Sequence, residues 1–76
     1  MEKELVEYIA QNLVNDPSQV NVRSRKTGSS TILELRVASG DMGRVIGKQG
    51  RVANAMRSLL RVIGTRKNTR IVLDID

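Results

Sequence analysis

The chain contains no cysteine and no histidine. Without cysteine it can form neither a disulfide framework nor a thiolate metal site. Without histidine it lacks the commonest general base and the commonest neutral metal ligand. Its eight carboxylates are scattered along the chain rather than paired, and no serine stands in a recognisable arrangement with a base. The sequence therefore argues against an enzyme and against a bound metal or cofactor.

Long apolar runs and aromatic side chains are also scarce. No run approaches the length that crosses a membrane, and the N-terminal stretch MEKELVEYI is amphipathic rather than a signal peptide. We therefore expect a cytoplasmic protein that does not engage a membrane, and the lack of cysteine agrees with that compartment. Tyr8 is the only aromatic residue, which excludes binding of nucleic acid by stacking several bases on aromatic rings of a sheet.

Charge is distributed unevenly over a short chain. The 76 residues suffice for one small domain, so we expect residues 1–76 to form a single unit. The net charge is +5, with −3 in residues 1–22, +10 in residues 23–70 and −2 in residues 71–76. A basic middle between acidic ends favours one face that binds a polyanion. The alternative is that the lysines and arginines only solvate the surface.

Hydrophobic periodicity divides the chain into six elements. The clearest is TILELRVA, where alternation places Leu33, Leu35 and Val37 on one side of a strand. Pro17 ends the first helix, because proline cannot continue one. The predicted elements are a helix over 2–14, strands over 20–26 and 31–38 around a polar loop at 24–30, helices over 41–46 and 51–63, a turn at 64–68 and a strand over 69–76.

The two middle helices carry more detailed predictions. We expect Ser39 or Asp41 to cap the short helix, and Gly47 to end it in the left-handed region of backbone conformation. Helical spacing in the longer helix predicts a buried face of Val52, Met56, Leu59, Leu60 and Ile63, and a solvent face of Asn54, Arg57, Ser58 and Arg61.

The order of elements predicts an α+β fold. A strand–helix–helix–strand unit over residues 31–75 makes a right-handed crossover that places its two strands side by side and parallel. The first two strands pair antiparallel through the polar loop. A three-stranded mixed sheet covered on one face by three helices is the compact arrangement of α-β-β-α-α-β.

The stretch RVIGKQGRV, residues 44–52, is the candidate site. Its two glycines permit a sharp turn between helices, and they let a phosphate backbone approach closely. The long polar side chains between them, the flanking arginines and the positive end of the next helix all favour an anion. A purely structural helix stop and restart is the alternative. The candidate residues are Arg44, Gly47, Lys48, Gln49, Gly50 and Arg51.

Other glycine patterns do not compete with this stretch. Gly40-Asp-Met-Gly43 has the same spacing, but its interior is acidic and apolar, so we interpret it as a turn at a helix start. A nucleotide-binding P-loop needs a longer spacing and a hydroxyl after the lysine, and Gln49 stands there instead. The dinucleotide fingerprint needs a further glycine two residues before Gly47, which is absent.

The pattern V-I-G-x-x-G at residues 45–50, between two helices, resembles the signature of KH domains, and the element order is similar to the type II arrangement. SGDMGRVIGKQGRVANAMRSLL is similar to the central part of bacterial single-KH-domain proteins of the KhpA type. The resemblance implies an RNA-binding protein whose loop clamps a single-stranded backbone. It also implies a role as an RNA chaperone or post-transcriptional regulator, a homodimer, pairing with a Jag-type KH protein, and links to cell elongation and division.

Within that resemblance, the groove would hold bases against aliphatic side chains. Val45, Ile46 and Val52 beside the loop, with Val37 or Leu35 on the adjacent strand, are the available wall. Arg25 and Lys26 in the polar loop would close the other side of the groove. Two alternatives to single-stranded RNA binding stay open from the sequence: a dimerisation or adaptor module with a structural loop, and a double-stranded DNA binder that uses the basic helix.

Overall fold

The computed structural model describes residues 1–76. It contains three α-helices and three β-strands in the order α-β-β-α-α-β. This is the α+β element order that the sequence predicts. The elements are α1 Glu2–Leu13, β1 Asn21–Thr27, β2 Ser30–Arg36, α2 Met42–Ile46, α3 Arg51–Lys67 and β3 Arg70–Ile75, with short 3-10 turns at 17–19, 39–41 and 48–50.

The three strands form one mixed sheet in the order β1-β2-β3. β1 and β2 pair antiparallel, with Val22 opposite Leu35. β2 and β3 pair parallel, with Leu33 opposite Leu73. Both the hairpin and the parallel crossover predicted from the sequence are therefore confirmed.

The core lies between the helices and one face of the sheet. Leu33 and Leu35 are completely buried, and the alternation along β2 leaves Glu34 on the opposite face. The helices cover the leucine face, while the other face of the sheet is open and polar. The buried cluster comprises Val6, Ala10, Val22, Leu33, Leu35, Val45, Met56, Leu60 and Leu73.

Helix α3 extends four residues beyond its predicted end. Gly64 does not stop the helix. It packs against the chain as it returns, and a Cβ at this position would lie only 2.3 Å from the carbonyl oxygen of Thr69. The helix instead ends where Asn68 adopts a left-handed conformation with φ 56°. The prediction of a turn at 64–68 was wrong because close packing, not helix termination, requires this glycine.

The buried face of α3 also differs from the predicted one. Ala53, Met56, Leu60 and Gly64 are buried, whereas Leu59 is 50% exposed. The spacing of the buried residues places the face about a quarter turn away from Leu59. Small residues let the helix approach the sheet, and the prediction had counted only large apolar ones.

The β1–β2 connection is much shorter than the predicted loop. The strands continue to Thr27 and start again at Ser30, and Gly28 makes the turn with φ 59°. Arg25 and Lys26 therefore lie in a strand, because cross-strand hydrogen bonding overrides their polar character. Among the helices, none combines the length and the apolar character that crossing a membrane requires.

Candidate nucleic-acid interface

The link between α2 and α3, residues 47–50, is called the GKQG loop here. Gly47 ends α2 with φ 78° and ψ 169°, and a single 3-10 turn follows. Gln49 and Gly50 then have left-handed conformations, with φ 58° and 76°, before α3 begins at Arg51. Gly47 was predicted to be left-handed. Its φ is positive, but its extended ψ places it in a region open essentially to glycine alone.

The charged side chains of this region are free to meet a ligand. Lys48, Gln49 and Arg51 are exposed, and none of them forms an ion pair or a side-chain hydrogen bond. Arg44 is also exposed, and its Nε lies 3.5 Å from Oδ1 of Asp41. The structure therefore brings three cations and one amide side chain to a single exposed turn.

The backbone amides of the loop are less available than the sequence indicated. The N–H of Gly50 donates to the carbonyl oxygen of Gly47 at 3.1 Å, and the N–H of Arg51 donates to that of Lys48. These two groups close the 3-10 turn rather than pointing at an anion. The attraction for phosphate consequently comes mainly from the side-chain charges and from the positive end of α3.

The predicted apolar wall is mostly core. Val45 and Leu35 are completely buried, so neither can touch a ligand in this conformation. Val37 and Val52 pack partly against the core. Ile46 is 36% exposed and is the apolar side chain next to the loop with the most free surface. The prediction for Val45 fails because α2 has only five residues and needs that side chain to attach it to the domain.

Arg25 and Lys26 do not jointly close a groove. They are consecutive strand residues, so their side chains point to opposite faces of the sheet. Arg25 lies on the open face, where its Nη2 is 3.9 Å from Oε2 of Glu34. Both also lie toward the hairpin end of β1, whereas β2 leads into α2 from its other end, at Arg36.

The structure reveals a basic surface on the predicted solvent face of α3. Asn54, Arg57, Arg61 and Thr65 are spaced so that they form one line along α3, called here the α3 stripe. The line starts beside Gly50, where a Cβ would lie 3.7 Å from Nδ2 of Asn54. The recurrence at three- and four-residue intervals was the signal in the sequence that could have identified it.

The α3 stripe leads into a groove along the outer edge of β3. The groove has a volume of about 410 Å³ and lies between the exposed side of α3 and the strand. Arg57 spans it, because its Nε and Nη2 both donate hydrogen bonds to the carbonyl oxygen of Leu73, at 3.2 and 3.1 Å. Its lining is Arg57, Arg61, Thr65, Thr69, Arg70, Ile71, Val72 and Leu73.

A second depression, of about 810 Å³, has a different character. Arg23 and Arg36 line it together with Glu34, Asp74 and Asp76, so positive and negative side chains are mixed. The Arg36–Asp76 pair, at 3.4 Å, neutralises part of the positive charge. This surface offers no continuous attraction for a polyanion, unlike the groove beside α3.

The helix cap predicted for α2 is absent, and Asp41 does something else. Ser39 lies in a 3-10 turn, and no side chain caps α2. The carboxylate of Asp41 is buried and accepts hydrogen bonds from the backbone N–H groups of Asn15 and Asp16, both at 3.1 Å.

No three histidine, cysteine, aspartate or glutamate side chains gather into a group that could hold a metal ion.

The chain is similar to known RNA-binding proteins over nearly its whole length. The family profile described as "KhpA/KhpB, KH domain" matches residues 3–75. The RNA-binding protein KhpA of Clostridium perfringens is 47% identical over 73 residues, which cover 96% of this chain and 97% of the relative. The RNA-binding protein KhpA of Treponema pallidum is 48% identical over 75 residues, which cover 99% of this chain and 94% of the relative.

Two solved structures share the fold. A variant of Aquifex aeolicus Era bound to GDP.AlF4- matches with a TM-score of 0.62 and 15% identity, over 97% of this chain and 29% of Era. Era in complex with MgGDPNP and nucleotides 1506-1542 of 16S ribosomal RNA matches with a TM-score of 0.63, also at 15% identity, over 97% of this chain and 28% of Era. The chain thus spans less than a third of Era, and likeness at this identity shows the fold alone. The family profile matches nearly the whole chain, relatives are nearly half identical to it, and its element order is α-β-β-α-α-β. The chain therefore belongs to the KhpA/KhpB KH domain family.

Proposed function

We propose that this protein is a non-enzymatic RNA-binding protein that clamps a short single-stranded segment with its GKQG loop. The observation that carries the proposal is the loop itself. Lys48 and Gln49 project from a turn made by two positive-φ glycines, with Arg44 and Arg51 beside them and no competing acidic partner at Lys48 or Arg51. The names of the relatives, which describe RNA-binding proteins, support the same ligand.

The bound strand continues from the loop along the α3 stripe. Arg57 and Arg61 follow Gly50 on one side of the helix and reach the groove beside β3. A strand in this groove meets cations on the helix side and the outer edge of β3 on the other. Ile46, next to the loop, supplies apolar surface for a base, so the bases need no aromatic stacking partner.

A short clamp suits a role as an RNA chaperone or post-transcriptional regulator. A four-nucleotide footprint touches few phosphates, so we expect a Kd of roughly micromolar or weaker at physiological salt and a slope of log K against log salt of about −2 to −3. A slope near −8 on duplex DNA would favour the alternative of a DNA-binding domain instead.

The decisive experiment changes the loop and a matched surface site. Lys48→Asp with Gln49→Asp places two carboxylates against the phosphates and should abolish binding to a single-stranded RNA pool in fluorescence anisotropy. Lys3→Asp with Gln11→Asp makes the same chemical change at exposed positions of α1 and should bind nearly as wild type. Circular dichroism checks that both are folded. Unchanged affinity in the folded loop variant would refute the proposal.

Assembly is part of the proposal, because one clamp is too short to select an RNA. Leu59 and Val62 are 50% and 56% exposed, and they lie side by side on α3, three residues apart. Two copies joined through this patch, or one copy joined to a Jag-type KH protein, would hold two clamps together and raise the apparent affinity. A dimerisation or adaptor module is the second candidate function, and this exposed apolar pair is what favours it.

A further inference from the structure

The buried carboxylate of Asp41 joins two distant parts of the chain. Asp41 is only 3% exposed. Its Oδ1 accepts the N–H of Asn15 and its Oδ2 accepts the N–H of Asp16, both at 3.1 Å. Those donors lie just beyond the C-terminal end of α1, 26 and 25 residues earlier in the chain. Asp41 itself stands immediately before α2, so it connects the end of one helix to the start of another.

Helix α2 needs such a connection. A helix of five residues is too short to hold its own conformation in water. Its direction is therefore set by its tertiary contacts, which include two buried groups near its ends: the carboxylate of Asp41 before its first turn and the side chain of Val45 in its last. The GKQG loop follows Val45 after one residue, so any rotation of α2 moves the loop.

Asp41 also orients a cation of the loop region. Nε of Arg44 lies 3.5 Å from Oδ1 of Asp41, which directs the guanidinium, and no second carboxylate pairs with it. A guanidinium held through one nitrogen can still donate two parallel hydrogen bonds to a phosphate.

We propose that Asp41 is a positioning residue for RNA binding: it fixes α2 to the end of α1 and thereby sets the direction of the GKQG loop and of Arg44. The inference rests on the proposed function. Simple electrostatics predicts the opposite effect. An acid beside a phosphate site should weaken binding, so neutralising Asp41 should strengthen it.

The chain offers a matched control. Asp16 lies in the same connection, is exposed, and its carboxylate accepts a hydrogen bond from the hydroxyl of Ser18 at 2.6 Å. Asp16→Asn and Asp41→Asn remove one negative charge each. Electrostatics alone predicts equal or tighter RNA binding for both. The positioning role predicts a loss of about five- to tenfold for Asp41→Asn only, because an amide cannot replace both oxygens and no longer holds Arg44 ionically.

The experiment measures RNA affinity at several salt concentrations. Circular dichroism and urea titration, analysed as a two-state transition, must show each variant to be more than nine-tenths folded under these conditions. The slope of log K against log salt is negative. We expect its magnitude to decrease by about 0.7 in Asp41→Asn, as for one lost phosphate contact on a single strand. Arg44→Gln leaves both backbone hydrogen bonds of Asp41 in place and should reduce the magnitude of the slope by the same amount. This variant provides the test if Asp41→Asn does not fold.

The outcomes separate this inference from the proposed function. Folded Asp41→Asn that binds RNA as tightly as Asp16→Asn overturns the positioning role, and so does Arg44→Gln with an unchanged slope. Either result leaves the clamp intact as long as the Lys48→Asp, Gln49→Asp variant has lost binding. Wild-type protein that binds no single-stranded RNA overturns both.

Discussion

Gly47 and Val52 are in such close contact that no larger residue fits at position 47. A Cβ on Gly47 would lie 2.5 Å from Cγ2 of Val52 and 2.8 Å from its backbone nitrogen. The first residues of α3 therefore pack directly against the end of α2. Since the backbone nitrogen cannot move without unwinding α3, the contact is a rigid one, and it fixes the shape of the GKQG loop.

The first prediction follows from that contact. Gly47→Ala should destabilise the protein by about 3 kcal/mol or more, because it adds a steric clash to a backbone conformation that costs 1–3 kcal/mol by itself. Gly43→Ala is the control. It lies within α2, has no atom within 4 Å of its Cβ position, and has a normal φ, so it should stabilise by about 0.5–1 kcal/mol. Urea unfolding measures both, and a Gly47→Ala variant as stable as wild type would contradict the structure.

The sequence predicted those features that depend on neighbouring residues. The alternation in TILELRVA correctly placed Leu33 and Leu35 in the core. The polar pair between two glycines correctly indicated an exposed turn between helices. Both patterns are local, since strand alternation and glycine conformation are set within a few residues.

Individual side-chain contacts between distant parts of the chain could not be predicted, although the parallel pairing of β2 and β3 was. The role of Gly64 comes from the returning chain at Thr69, and that of Asp41 comes from Asn15 and Asp16, at the end of α1. Arg57 was assigned to solvent because the helical wheel cannot show that β3 passes beside it. Each of these residues looks ordinary by type and spacing, and only the tertiary fold identifies its partner.

Arg57 carries the second prediction. Its two hydrogen bonds satisfy the carbonyl oxygen of Leu73 on the outer edge of β3. Arg57→Ala should therefore lower the free energy of unfolding by about 1–2 kcal/mol, the range for a hydrogen bond to a charged group that is partly exposed. Arg61→Ala removes the same charge one turn further along the α3 stripe and should change stability by less than about 0.5 kcal/mol. Chemical denaturation of the two variants side by side tests the difference, which equal losses would rule out.

The third prediction concerns acid. The side chain of Lys67, at the end of α3, donates a hydrogen bond to the carboxylate of Glu2 at the start of α1. This bond lowers the pKa of Glu2 below its ordinary value of 4.5. Because the pKa is lower in the folded chain than in the unfolded chain, the pair stabilises the fold above pH 4.5. That contribution is lost as the pH falls through the folded value.

Glu2→Gln should consequently cost stability at pH 7, and progressively less as the pH falls below 4.5. The loss should stay below about 1 kcal/mol, because Lys67 is half exposed and solvent screens the pair. Glu7→Gln removes a charge that has no ion pair and serves as the control. Thermal melts of wild type and both variants across this pH range provide the test. A Glu2→Gln deficit that grows toward low pH would show the wrong sign.

The last prediction concerns the apolar patch on α3. Leu59 and Val62 lie about a third of a turn or more around the helix from Arg57 and Arg61, so a partner on the patch leaves the α3 stripe free. Leu59→Glu should therefore convert a dimer into a monomer of 8.4 kDa and weaken binding to an RNA with two sites by about 100-fold, since joined clamps act at a high effective concentration. Binding to a single-site RNA should not change.

Tyr8→Glu, at an exposed apolar residue of α1, should remain dimeric. Light scattering at micromolar protein, with anisotropy on the two RNAs, measures these effects. Wild-type protein that is monomeric and gains nothing from a second RNA site would refute the dimer.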